Sequence, residues 1–128
     1  MKDKFEYTVT RTIAREELKY LIIDGLETGI TYWATLHNDT EEFEWYYNET
    51  NLSTSEIVAD ILLNGGSVKI TDTEGDVDSK YDLTLERLLV GIQKNAEERP
   101  HDCDLENYDA ITCDCIFQYE IFDEVVFG

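Results

Sequence analysis

Cys103, Cys113 and Cys115, with His101 close by in the chain, carry the donor set of a zinc site. Their spacing works against that chemistry. If the segment from Tyr108 to Phe122 is helical, Cys113 and Cys115 are two residues apart and do not face each other, so one tetrahedral ion cannot take both thiolates. The expectation is buried structural thiols and no metal. The acidic run from Asp72 to Asp78 has the look of a calcium loop's first half, but Val77 stands where the loop's glycine is required and Leu83 where a bidentate glutamate is. A solvated hairpin turn is expected there. His37 and His101 form an acid–base pair only if the fold unites them. The chain has no phosphate-cradling glycine loop and no nucleophile elbow. Neither a catalytic residue nor a cofactor is expected.

A different set of residues suggests recognition rather than reaction. Tyr32, Trp33, Trp45, Tyr46 and Tyr47 lie in one tract with Asp39, Glu41, Glu42, Glu44 and Glu49. Between Tyr20 and Val68 the tract holds nine acids and no basic residue except His37. A second tract, from Pro100 to Gly128, holds eight acids, among them Asp102, Asp104, Glu106 and Asp109, and no Lys or Arg. Large amphipathic rings beside carboxylates suit a surface that grips Arg and Lys, through ring burial, cation–π contact and ion pairing. If Trp45, Tyr46 and Tyr47 sit on a strand, their rings fall on both faces and at least one is exposed.

Composition points to the kind of partner. Twenty-nine acids against ten Lys and Arg leave a net charge of −19 over 128 residues. Charge of one sign this dense opposes compaction and repels DNA, RNA and anionic membranes. A positively charged protein is the simplest counterpart. With 42% hydrophobic residues, 15 aromatics among them, the chain can still build a core. Its start, Met1-Lys2-Asp3-Lys4, is followed by an alternating segment rather than an apolar stretch, so no signal peptide is expected. Three cysteines, an odd number, fit reduced thiols in a cytoplasm.

The elements that must position these residues read as α+β, a small single domain over residues 1–128 with about four helices on a short, mostly antiparallel sheet. Alternation at Phe5, Tyr7 and Val9 predicts a first strand. A helix follows from Thr12 to Leu26, then strands at Ile30–Leu36 and across Phe43, Trp45 and Tyr47. Ser53 with Glu56 forms a capping box for the next helix, stopped by Asn64-Gly65-Gly66. Residues 67–71 and 80–83 read as a hairpin, and Thr84 caps a helix with Leu85, Leu88, Leu89 and Ile92 inward, fraying from Asn95. The last helix, Tyr108 to Phe122, is apolar nearly all round. It needs either a central position or a partner subunit, as in a homodimer. Val125-Val126-Phe127 suggests a final strand.

Two segments resemble small acidic proteins encoded by bacteriophages and other mobile elements. They are Gly25-Leu26-Glu27-Thr28-Gly29-Ile30-Thr31-Tyr32-Trp33 and the closing run from Gln118 to Gly128, in which Asp123 stands where that pattern has glycine. The resemblance carries no active site. It implies an inhibitor of host defence, of the anti-CRISPR or anti-restriction kind, that occupies a basic nucleic-acid-binding groove. On this expectation the contact residues are Asp39, Glu41, Glu42, Glu44, Trp45, Tyr46, Tyr47, Glu49, Asp102, Asp104, Glu106 and Asp109. The alternative is a sponge for a nucleotide signal, with Tyr32 and Trp33 stacking a base. Spread evenly over a surface of about 7,000 Å², the charge is roughly threefold sparser than that of duplex DNA. Mimicry therefore requires the acids to cluster.

Overall fold

Helix α5, Ala110–Phe122, is the axis of the molecule, with every residue from Thr112 to Ile121 buried. A computed structural model describes residues 1–73 and 80–128. Ahead of α5 come α1 (Arg15–Asp24), a π-helical turn (Gly25–Gly29), β1 (Ala34–Leu36), α2 (Glu41–Glu49), α3 (Thr54–Leu63), β2 (Ser67–Asp72), β3 (Tyr81–Thr84) and α4 (Leu85–Glu98). A short 3-10 turn, Pro100–Asp102, links α4 to the final loop. The three strands form one antiparallel sheet in the order β1-β2-β3, with Leu36 opposite Ile70 and Val68 opposite Leu83. Val68, Ile70 and Leu83 are buried while Lys69 is exposed, the period of two that a half-covered sheet requires. The class is α+β, and no helix among the described residues is long and apolar enough to cross a membrane.

A helix buried on all sides must let its neighbours come close, and glycines allow it. A Cβ added at Gly25 would sit 2.4 Å from the Phe117 ring, and one at Gly91 would sit 2.6 Å from the Ile116 carbonyl oxygen. The π-helical turn and α4 thus press on α5 through positions that have no side chain. The chain itself covers α5, so this helix supplies no need for a second subunit. We expect Gly91→Ala to destabilise the fold. Its clash is with backbone, which outweighs the ~1 kcal/mol of helix propensity that alanine brings, for a net loss of about 1–3 kcal/mol. Thermal melting should register a drop of roughly 4–12 °C. An unchanged melting temperature would contradict the close packing.

Local signals set several boundaries. Ser53 and Glu56 form the capping box of α3, and Gly65 after it takes φ +89°, the left-handed conformation glycine favours. Thr84 caps α4 by accepting from the Arg87 amide. Asp109 caps α5 through the Thr112 amide. Asp123, at the position where glycine fits the resemblance, has φ +63°.

Other expectations need correction. Phe5, Tyr7 and Val9 are exposed and lie in no strand, because among the described residues their alternating face meets no sheet partner. The first helix starts at Arg15, without a side-chain cap, rather than at Thr12. Only Ala34–Leu36 of the 30–36 segment is strand. The segment holding Phe43, Trp45 and Tyr47 is helix α2, not a strand. Leu89 is exposed rather than inward, and Asn95, far from fraying, is buried within α4 and donates to the Asp102 carbonyl at 2.9 Å. Val125 to Phe127 form no strand. The solvated hairpin turn expected over Asp72 to Asp78 lies, from Glu74 on, outside the described residues.

Candidate partner-binding surface

Helix α2 begins where Thr40 turns its hydroxyl to the Phe43 amide, and Glu41, Glu42 and Glu44 fill its first turn. Carboxylates there face the positive end of the helix dipole. Phe43 points into the core, 2% exposed. At about 100° per residue, Tyr46 and Tyr47 flank Phe43 on the inner side. Glu41, Glu42, Glu44, Trp45, Asn48 and Glu49 share the outer half. Trp45, 58% exposed, stands among four glutamates, its ring edge-on to Tyr46 with centroids 5.1 Å apart. Asp39 is exposed just before the helix.

The trio of ring anchors divides. Tyr46 is half-buried, and its hydroxyl donates to Asp60, which pushes its pKa up to about 12. Tyr47 holds its hydroxyl between Asn38, which donates at 3.1 Å, and Thr54 at 2.7 Å. Trp45 has the most exposed ring of the three.

The second acidic tract is built differently. Asp102 accepts from Arg99 at 2.8 Å and lies 2.6 Å from the Thr112 hydroxyl. Asp109 is the cap of α5, and those hydrogen bonds hold its carboxyl below the usual range. Asp104 accepts from the Asn107 side chain at 2.8 Å and the Glu106 amide at 3.0 Å, with the same effect. Glu106 is exposed. These carboxylates organise their own loop, whereas those of α2 enter no ion pair among the described residues.

Tyrosines explain how a chain poor in cations satisfies its inner acids. Tyr32 donates to Asp114 at 2.6 Å, Tyr81 to Asp72 at 3.3 Å, Tyr46 to Asp60 and Tyr108 to Asp24. A hydrogen bond to a charged group contributes about 1.5–3 kcal/mol, and each of these uses no Lys or Arg. Trp33 joins them. It is 1% exposed, and its indole N–H donates to Asp114 at 2.6 Å, so it cannot stack a ligand's base. That removes half of the stacking pair on which the nucleotide-sponge reading rests.

The sulfur and imidazole groups stay apart. Cys113 and Cys115 are buried in α5, and burial, with Asp24 nearby, pushes the Cys113 thiol up to about 12. His37 lies 3.2 Å from the Thr71 hydroxyl, and His101 is exposed in the 3-10 turn. No group of His, Cys, Asp and Glu among the described residues is arranged to hold a metal ion.

Sequence reasoning passed over Asp114, Gln118 and Glu120. Their signal was polarity inside an otherwise apolar helix, with Asp114 and Gln118 at the i,i+4 spacing that lets side chains meet. Glu120 is 5% exposed and accepts from the Thr84 amide at 3.2 Å. Burial pushes its pKa up to about 8, against the pull of that amide and of Arg87. The folded pKa exceeds the unfolded one, so between about pH 4.5 and 8 the folded state holds a proton that the unfolded state has lost. Stability should fall as pH rises through that window, with a limiting slope of ~1.4 kcal/mol per unit from this group. Glu120→Gln should remove that share of the slope. Denaturant titrations of both proteins from pH 5 to 8.5 measure it, and equal slopes would contradict the assignment.

No protein-family model, curated protein or solved structure matches this chain.

Proposed function

We propose that the protein is an intracellular binding protein, not an enzyme, whose α2 face occupies a basic nucleic-acid-binding groove of another protein. The target that fits the resemblance is a nucleic-acid-handling component of a host defence complex. The observation that carries the reading is one exposed tryptophan among four exposed glutamates on a helix with no basic residue.

Magnitude favours a local surface over mimicry by the whole molecule. Nineteen net charges over 8,386 Å² give about one per 440 Å², some fourfold sparser than duplex DNA taken as a ~20 Å cylinder. Along α2 the comparison changes. Glu41 and Glu49 are about 12 Å apart along the helix axis, so four glutamates average one charge per ~4 Å. A single nucleic-acid strand has one phosphate per ~3.4 Å. Steering comes from these carboxylates, and Trp45 supplies the desolvated anchor.

The test is a comparison of baits in host lysate. Wild-type protein and the variant Asp39→Asn, Glu41→Gln, Glu42→Gln, Glu44→Gln are immobilised, and retained proteins are identified by mass spectrometry. Nucleic-acid-binding proteins should be enriched on the wild type and lost from the variant. Equal retention on both would reject α2 as the recognition surface.

A further inference from the structure

Residues 1–12 are all exposed, and Phe5, Tyr7 and Val9 leave 80%, 87% and 63% of their surface in solvent. The arm is tied to the body at Ile13, which packs against the core. Alternation puts Phe5, Tyr7 and Val9 on one face and Glu6, Thr8 and Thr10 on the other, the pattern of a strand without its ladder. The sheet has one edge to offer. In the order β1-β2-β3 the edge strands are β1 and β3. At β3 the Thr84 amide donates to Glu120 and the Asp82 carbonyl accepts from Arg87, so side chains from the helices close that edge. At β1 the His37 amide donates to Lys69 and the Thr73 amide to Trp33. The ladder thus turns the backbone groups of Thr35 and His37 toward β2 and those of Ala34 and Leu36 outward. The Ala34 amide reaches Ile30, but among the described residues no hydrogen bond meets the Ala34 carbonyl or either group of Leu36. The sequence Ala34-Thr35-Leu36 also lacks the charges and prolines that guard open edges.

We propose that residues 5–9 add to the outer edge of β1 in a second copy of this chain, giving an arm-exchanged dimer. The added strand runs antiparallel. Phe5, Tyr7 and Val9 then bond to the outward groups of Ala34 and Leu36, and directly opposite residues share a face. Ala34 and Leu36 pack partly buried on the core, so the three apolar side chains of the arm extend that core. Charge selects this occupant. Residues 2–11 hold Lys2, Lys4 and Arg11 against Asp3 and Glu6, a net charge of +1 in a chain of −19, so the rest carries −20. Strand β1 lies in the tract with no Lys or Arg between Tyr20 and Val68, whereas a basic partner would repel the arm. Area agrees. Two aromatic rings per arm bury about 300–500 Å², and two arms with the surface they cover come to roughly 1,200–2,000 Å², a standard stable interface. Ten extended residues span up to about 33 Å, enough to cross between copies.

Sedimentation velocity of the full chain from about 1 to 200 µM, with hydrogen exchange read by mass spectrometry, tests the dimer. A monomer–dimer equilibrium is expected, with exchange in residues 4–10 and 34–38 slowing together as the dimer fills. Tyr7→Pro removes a ring and an amide donor of the new ladder. Tyr7 is exposed and makes no hydrogen bond among the described residues, so the fold of the variant should persist. Its dimer should be at least ~10-fold weaker, and both segments should exchange freely. A monomer throughout the range, a dimer that Tyr7→Pro leaves intact, or protection of the arm without residues 34–38 would overturn the proposal.

Discussion

Trp33→Ala is expected to remove about 3–5 kcal/mol of stability, the range for truncating a buried large aromatic. Three contacts are lost at once. The indole stacks on Phe127 at a centroid distance of 5.4 Å and 12° between planes, meets Phe122 at 5.4 Å, and donates to Asp114. Phe127 belongs to a tail that Gln118 straps down, its side-chain oxygen accepting from the Val126 and Phe127 amides at 2.7 and 2.8 Å. Gln118 in turn donates to Asp114 at 2.9 Å. The alanine variant should thus melt roughly 10–20 °C lower and expose its C-terminal tail to proteolysis. Asp114→Asn should give a smaller loss, since it keeps the volume and one acceptor oxygen. A Trp33→Ala loss below about 1 kcal/mol would mean that the tail does not dock as described.

The second large effect is on association. Neutralising Asp39, Glu41, Glu42 and Glu44 should leave the fold in place, because their side chains are exposed and enter no ion pair among the described residues. Two small terms oppose each other there. Relief of like-charge repulsion stabilises, while loss of acids from the first turn of α2 costs about 0.3–1 kcal/mol per favourable helix-dipole contact. Association with the basic partner should slow at least ~10-fold at low salt, and the salt dependence of the on-rate should flatten. Trp45→Ala should act on the other rate. A central aromatic anchor is worth about 2 kcal/mol or more, so dissociation should speed up by roughly 30-fold. The two variants therefore separate steering from anchoring. An unchanged on-rate in the first, or an unchanged off-rate in the second, would contradict the assigned role.

What could be read from the sequence follows the locality of each signal. The Ser53–Glu56 capping box, the Thr84 cap and the Asn64-Gly65-Gly66 stop are encoded within four residues, and all three stand in the structure. The all-round apolar pattern of α5 gave its central position. Helix α2 was misread because Phe43, Trp45 and Tyr47 alternate and aromatics favour strands. Thr40 followed by Glu41, Glu42 and Glu44 was the competing signal, a cap with an acidic first turn, and it prevailed. The exposed aromatic expected from a strand is present for a helical reason instead, with Trp45 opposite the inward Phe43. The segment around Phe5 has the right alternation for a strand, but a ladder also needs a partner, which alternation cannot supply. The tyrosine–aspartate pairs join residues up to 84 positions apart, and no local pattern announces them. The two segments that carry the resemblance prove to be packing partners, Trp33 of the first stacked on Phe127 of the second.

If α2 occupies a nucleic-acid-binding groove, this protein and nucleic acid exclude each other on the partner. A photoreactive group placed at position 48, exposed on the outer half of α2, is cross-linked in host lysate to mark the partner, which is then purified. Its binding to fluorescent duplex DNA and single-stranded RNA is measured while this protein is titrated in. Full displacement of whichever nucleic acid the partner binds is expected, with a midpoint that shifts at least ~10-fold to higher concentration for the neutralised α2 variant. A ternary complex of partner, nucleic acid and this protein, or displacement equally strong with the neutralised variant, would contradict it.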